Sequence, residues 1–255
     1  MQAASTMFHR PMTHLLRPGR PTRLIWLALG SVPLAEIAAH AQPDIVVLDL
    51  QHGLWERTTM EAAIGLVNAR VPVLVRTADG SLPAIAMALD AGAAGVLVPM
   101  VETADDARRI VDASRYPPVG RRSAGGVRPL MLGLSAMVEA DKHIALGALI
   151  ETVQGVANAR DICAVEGLDF IFIGTGDLAI SRGTGDPAGL ADCCAHVRTE
   201  AHARGLPCGW FTGSLEAARK GLADGYDMVV VANDIDLAVR CFADAVQGSH
   251  GGTPR

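Results

Sequence analysis

Eight short runs rich in Val, Ile and Leu, each followed by a helical stretch, predict one closed parallel (β/α)8 TIM barrel over residues 23–247. The runs show no polar alternation, as expected of strands covered on both faces. The 255 residues suffice for one such barrel, and half of them are hydrophobic, enough for a large core. An open doubly wound sheet is the alternative, but no G-x-G-x-x-G follows the first run, which counts against a dinucleotide site.

The elements follow in order. LIWLAL (24–29) leads into a helix over Pro33–His40. DIVVLDL (44–50) leads into one over Glu56–Ala69, with Met60, Ala63, Ile64 and Val67 on one face. VPVLVR (71–76) precedes a helix over Leu82–Ala91, and GVLVP (95–99) one over Ala104–Ser114. LGALIE (146–151) precedes Val156–Val165, and DFIFIG (169–174) precedes Leu190–Arg204. PCGWF (207–211) precedes Leu215–Asp224, and DMVVVA (227–232) precedes Ile235–Val246. Two connections exceed the usual length, Tyr116 to Asp141 and Gly174 to Pro187. Loops of that size on the active face serve as lids or binding loops. Residues 1–22 read as an N-terminal arm and 248–255 as a disordered tail.

Composition removes several function classes. The net charge is -5 with no basic stripe, which argues against nucleic acid as a partner. No charge-poor apolar run is long enough for a membrane span. Cys163, Cys193, Cys194, Cys208 and Cys241 are odd in number and lack paired metal spacing, so they read as thiols in a reducing, cytoplasmic compartment. Arg17, Arg20 and Arg23 before LIWLALGSVPLAEIAAHAQ mimic an export signal. Pro33 and Glu36 interrupt its apolar stretch, and cleavage after Ala41 would remove the first strand and helix.

The chemistry lies where apolar runs end in polar groups. Asp49 and His52, Arg76, Glu151 and Asp177 all stand at downstream strand ends. In a parallel barrel these ends open onto one face, where barrel enzymes keep their active sites. Glu151 and Asp177 are carboxylates next to apolar runs and need a partner. A hard divalent cation is one such partner; a salt bridge or a helix cap is the other reading. Arg76 suits bidentate capture of a carboxylate, or else a structural ion pair. His52 suits a general base whose tautomer Asp90 or Asp49 fixes, or else a histidine packed at the rim. The only lysines, Lys142 and Lys220, fall outside the strands, so Schiff-base chemistry has no nucleophile. Carbanion chemistry would then require a metal as electron sink. Runs seven and eight lead into FTGS and VANDID, where only Gly213 suits a phosphate loop, which disfavours phosphorylated substrates.

WLALGS, LDLQHG, PVLVR, AGAAGVLVPMVETADDAR, RYPPVGRR, IETVQG and FIGTGDLA occur in this order from about Arg23 to Val246. Together they make the chain resemble the HpcH/HpaI aldolase/citrate lyase family, in particular its metal-dependent class II pyruvate aldolases. The resemblance implies reversible cleavage of 4-hydroxy-2-oxo acids to pyruvate and an aldehyde. It implies Glu151 and Asp177 as ligands of Mg2+, Mn2+ or Co2+, and Arg76 as the residue steering the pyruvate oxygens. It implies His52 as base with Asp90 as partner, Asp49 near the metal's water, and Gly174, Thr175 and Gly176 around the pyruvate carboxylate. It further implies a homo-oligomer, hexamer or trimer, with sites near subunit contacts. The chain departs from relatives at Gln51 (often Glu), Leu149 (Gln), Ser123 (Gly) and Thr175-Gly176 (Pro-Ala or Pro-Ser), which bears on substrate choice. Within the enzymes the alternative is a citrate- or malyl-CoA-type acyl-CoA lyase. Outside them it is a barrel that binds an oxo acid without turning it over.

Overall fold

Alternation along each strand decides what faces the barrel axis. The computed structural model describes residues 11–183 and 185–248. In it β1 (Thr22–Leu27), β2 (Ile45–Asp49), β3 (Val73–Arg76), β4 (Gly95–Val98), β5 (Ala145–Ile150), β6 (Phe170–Ile173), β7 (Cys208–Trp210) and β8 (Met228–Asn233) close into one barrel in chain order. Every neighbouring pair is parallel, including β1 with β8, where a register shift falls between Leu24 and Ile25. The (β/α)8 expectation holds.

The inward row packs Leu24, Trp26, Ile45, Val47, Leu74, Leu97, Leu149, Phe170, Phe172, Met228 and Val230 into one core. The outward row, with Val46, Leu48, Val73, Val75, Leu146, Ala148 and Ile150, packs under the helices. Size is balanced across strands. A Cβ on Gly147 would lie 2.2 Å from the Phe170 ring, and one on Gly209 would lie 2.1 Å from Phe172. Two glycines therefore make room for two phenylalanines that fill the axis.

The helices are α1 (Val32–His40), α2 (Arg57–Val67), α3 (Leu82–Asp90), α4 (Ala104–Ser114), α5 (Val127–Leu132), α6 (Leu134–Asp141), α7 (Val153–Ala157), α8 (Ala159–Cys163), α9 (Thr175–Arg182), α10 (Pro187–Ala203), α11 (Leu215–Ala223) and α12 (Asp234–Gly248). Side chains of Ser31, Ser81, Thr103, Thr152, Asp186 and Ser214 accept a first-turn N–H and fix where six of them start.

Both long connections differ from the loops expected. The first carries α5 and α6, separated by Gly133 at φ 80°. The second opens with α9, so Thr175, Gly176 and Asp177 form the first turn of a helix. The helix after β5 is broken at Asn158, whose side chain donates to the Glu102 carbonyl at 2.7 Å. The part of the arm within the described residues is built into the fold. Met12, Leu15 and Leu16 are buried in the inward core and plug the end of the barrel opposite the strand C-termini. Asp227 holds this segment by accepting from Gly19 N (2.6 Å) and Cys208 N (2.8 Å). The 248–255 tail lies, after its first residue, outside the described residues. Among the described residues no helix is long and apolar enough to cross a membrane.

Candidate active site

The inward rows end in polar groups. Ile45 and Val47 are followed at the same two-residue step by Asp49, Leu74 by Arg76, and Leu149 by Glu151. These three and His52, Gly174, Thr175, Gly176 and Asp177 line one cavity of about 310 Å3 at the C-terminal mouth of the barrel. Its floor is the top of the inward core, Trp26, Leu149 and Phe172.

Asp49 and Arg76 are register partners on β2 and β3, which sets them side by side. Arg76 Nε donates to Asp49 Oδ1 at 2.8 Å, and its Nη2 donates to Oδ2. Trp26 Nε1 also donates to Oδ2 (3.2 Å), and the Gln51 and His52 backbone N–H groups donate to Oδ1 (3.1 and 3.2 Å). Burial alone would raise the Asp49 carboxyl, but Arg76 and these donors outweigh it and hold it below the ordinary range. The Arg76 guanidinium also lies 5.1 Å from the centre of the Trp26 ring. A carboxylate with five donors, two of them from the guanidinium docked on both its oxygens, makes a preoriented, ion-paired wall.

Glu151 faces that wall. Its side chain is buried, the residue being only 1% exposed. Oε1 accepts from Met100 N at 2.8 Å, and Oε2 is buried with no hydrogen-bond partner among the described residues. Burial is the main reason its carboxyl is pushed up to about 7, and the Asp177 carboxylate adds to the rise. Gly174 is glycine for space, since its φ is an ordinary -90° while a Cβ there would lie 2.5 Å from Oε2. Asp177 projects from the first turn of α9, where the helix dipole favours an acid. The Thr175 and Gly176 N–H groups of that turn have no intrahelical acceptor.

The orphaned, buried Oε2 and the adjacent, half-buried Asp177 beside an apolar floor fit a hard cation. Among the described residues no three His, Cys, Asp or Glu side chains group to hold a metal. A cation here would take two carboxylates and complete its shell with water and substrate, as Mg2+ does.

The structure brings Asp49, His52, Arg76, Glu151, Gly174, Thr175, Gly176 and Asp177 together and leaves Asp90 outside. Asp90 ends α3, accepts from Arg122 Nη2 at 3.0 Å and lines a separate cavity with Arg57, Glu61 and Arg128. No side chain among the described residues hydrogen-bonds the His52 imidazole. Sequence reasoning missed Trp26, Phe172, Phe211 and the β8 end, where Asn233, Asp234 and Asp236 line the rim. Asp234 accepts from Ala28 N and Leu29 N (2.9 Å each) and stitches β8 to β1. Trp26 was discoverable once the inward parity of β1 is known; Asp234 acts through contacts far away in sequence.

Comparison with known proteins agrees with this architecture. The model of the HpcH/HpaI aldolase/citrate lyase family matches residues 23–241. A hydroxypyruvate/pyruvate aldolase of Rhizorhabdus wittichii is 38% identical over 86% of this chain and 90% of its own length. A 4-hydroxy-2-oxovalerate aldolase of Rhodococcus jostii is 36% identical over 88% of this chain and 90% of its own. The crystal structure of a HpcH/HpaI family protein from Burkholderia cenocepacia superposes with a TM-score of 0.88 at 30% identity, covering 94% of this chain and 98% of that one.

Proposed function

The chain belongs to the HpcH/HpaI aldolase/citrate lyase family and is a carbon–carbon lyase, and from that premise we propose that it is a divalent-metal-dependent pyruvate aldolase acting on 4-hydroxy-2-oxo acids. One observation carries the reading. A buried glutamate with an orphaned oxygen and an aspartate share a small cavity with a guanidinium already locked by Asp49.

Glu151 and Asp177 would hold the cation, which when bound supplies Lewis-acid stabilisation of the negative charge that develops as the C3–C4 bond breaks. Arg76 is oriented before substrate arrives and donates to the keto and carboxylate oxygens of the oxo acid. The first-turn N–H groups of Thr175 and Gly176 receive the same carboxylate. His52, exposed at the mouth, takes the proton of the 4-hydroxyl as the C3–C4 bond breaks, and a proton delivered to C3 completes pyruvate; in aldol addition the same transfers run backwards. The apolar floor of Trp26, Leu149 and Phe172 keeps water from the nascent carbanion. Asp90 retains its place beside His52 only if a second copy of the chain presents it.

The preferred cation is Mg2+, Mn2+ or Co2+, the partner a small oxo acid, and the assembly a homo-oligomer. Support for the oligomer comes from α12, on which Ile235, Val239, Phe242 and Val246 form one exposed stripe. A cytoplasmic location accords with five unpaired cysteines. The test is exchange of the pyruvate methyl protons with deuterated solvent, followed by NMR with Mg2+ or Mn2+. Metal-dependent exchange, together with aldol addition across a panel of aldehydes, is expected. No exchange with either cation would leave only a binder.

A further inference from the structure

We infer that Met100 is a positioning residue whose left-handed backbone aims its N–H at Glu151 and so fixes which carboxylate oxygen faces the cavity. The inference rests on reading Glu151 as a metal ligand.

Among the described residues, only Gln42 (φ 55°) and Met100 (φ 58°) are non-glycine residues with positive φ. Gln42 follows the C-cap of α1, where a left-handed residue commonly ends a helix. Met100 has no such reason, because it follows β4 and ends no helix. Conformations of this kind persist where the surroundings impose them, and they collect at functional sites. The surroundings here are specific. Pro99 precedes it and has no N–H to give. Val101 N donates to the Leu149 carbonyl at 3.1 Å and pins the following residue to β5. With Val101 fixed, φ of Met100 sets the plane of the Pro99–Met100 peptide, and the N–H of that plane reaches Glu151 Oε1 at 2.8 Å.

The Met100 side chain takes no part in the site. It is 50% exposed and lines a neighbouring cavity with Gln51, Asp79 and Arg109, not the cavity of Glu151. On the other side Gly174 makes room for Oε2, since a Cβ there would fall 2.5 Å from it. The Glu151 carboxylate is therefore held by one backbone N–H, with open space kept beside its other oxygen. If φ of Met100 turned negative, Oε1 would lose its donor and the carboxylate would be free to rotate.

The experiment is calorimetric titration of the full chain with Mn2+, alongside thermal unfolding, for wild type, Met100→Gly, Met100→Asn and Met100→Val. Glycine and asparagine tolerate the left-handed region and a β-branched residue does not. Met100→Gly and Met100→Asn are expected to keep the wild-type Mn2+ affinity within about twofold, and Met100→Val to lose at least about tenfold in its folded fraction. A purely structural role would lower the melting temperature of Met100→Val without changing its affinity, and that result overturns the inference while leaving the proposed function intact. An affinity loss in Met100→Gly and Met100→Asn overturns it as well, even if the valine variant does not fold. Wild-type protein that binds no Mn2+ overturns both readings.

Discussion

Asp49 shows how one side chain can serve folding and chemistry together. It is buried, and only its donors make that tolerable. Asp49→Ala would leave the half-buried Arg76 guanidinium without its partner and should cost up to about 3 kcal/mol in urea unfolding. Arg76→Lys should fold, but one ammonium cannot reach both oxygens of Asp49 while also facing substrate. Its turnover in pyruvate aldol addition should fall by roughly 10²–10³; near-normal turnover would remove Arg76 from the chemistry. Glu151 adds a pH dependence. Its folded carboxyl titrates at about 7 against an ordinary value of 4.5. Between those values the folded chain holds a proton that the unfolded chain has released. Stability of the metal-free protein should therefore decline as pH rises through this window, by at most about 1.4 kcal/mol per pH unit. Glu151→Gln should flatten that decline in a series of urea midpoints from pH 4.5 to 7.5. An unchanged slope would mean that another group titrates there.

The eight strands were legible because a buried parallel strand must be an apolar run, and nothing in the runs conflicts with that. The polar ends of β2, β3 and β5 were legible for the same reason, since each breaks such a run. The helices missed in the long connections are short. α5 and α6 span six and eight residues around Gly133, too few turns to display a 3.6-residue period. α9 begins Thr-Gly-Asp directly after β6, where turn-forming residues mask a helix start. Neither the Met100 hydrogen bond nor the tie between Asp90 and Arg122 has a local signature, because each joins segments more than thirty residues apart. The strand glycines allow a quantitative check at this scale. Gly147 and Phe170 are register partners, and an alanine at 147 would press into the ring. Gly147→Ala should destabilise the barrel by about 1–3 kcal/mol, read from chemical denaturation. Pairing it with Phe170→Leu should recover part of the loss. A neutral Gly147→Ala would show that the inward core has slack.

Among the described residues the molecule is a barrel with one face made for chemistry and one helix, α12, that exposes a row of apolar residues. α12 packs its first turn on β1 and β8, held by Asp234, and then presents apolar residues to solvent. Ile235, Val239, Phe242 and Val246 recur at steps of four, three and four, which is one face of an α-helix. Phe242 is 72% exposed. Single exposed apolar residues are ordinary, but a stripe over residues 235–246 of a fifteen-residue helix marks an interaction surface. Because α12 starts at the rim of the active-site cavity, where Asp234, Ile235 and Asp236 line the wall, whatever covers the stripe also borders the mouth. A second copy is the covering surface that the proposed homo-oligomer supplies. Wild-type protein should therefore elute as a multimer in light-scattering chromatography, and Val239→Glu with Phe242→Glu should shift it to smaller species. The charged variant should bind Mn2+ as wild type does, because its substitutions lie outside the cavity of Glu151 and Asp177. It should lose turnover if the neighbouring copy completes the mouth. A wild-type monomer, or a multimer indifferent to both substitutions, would mean that α12 is not the assembly surface.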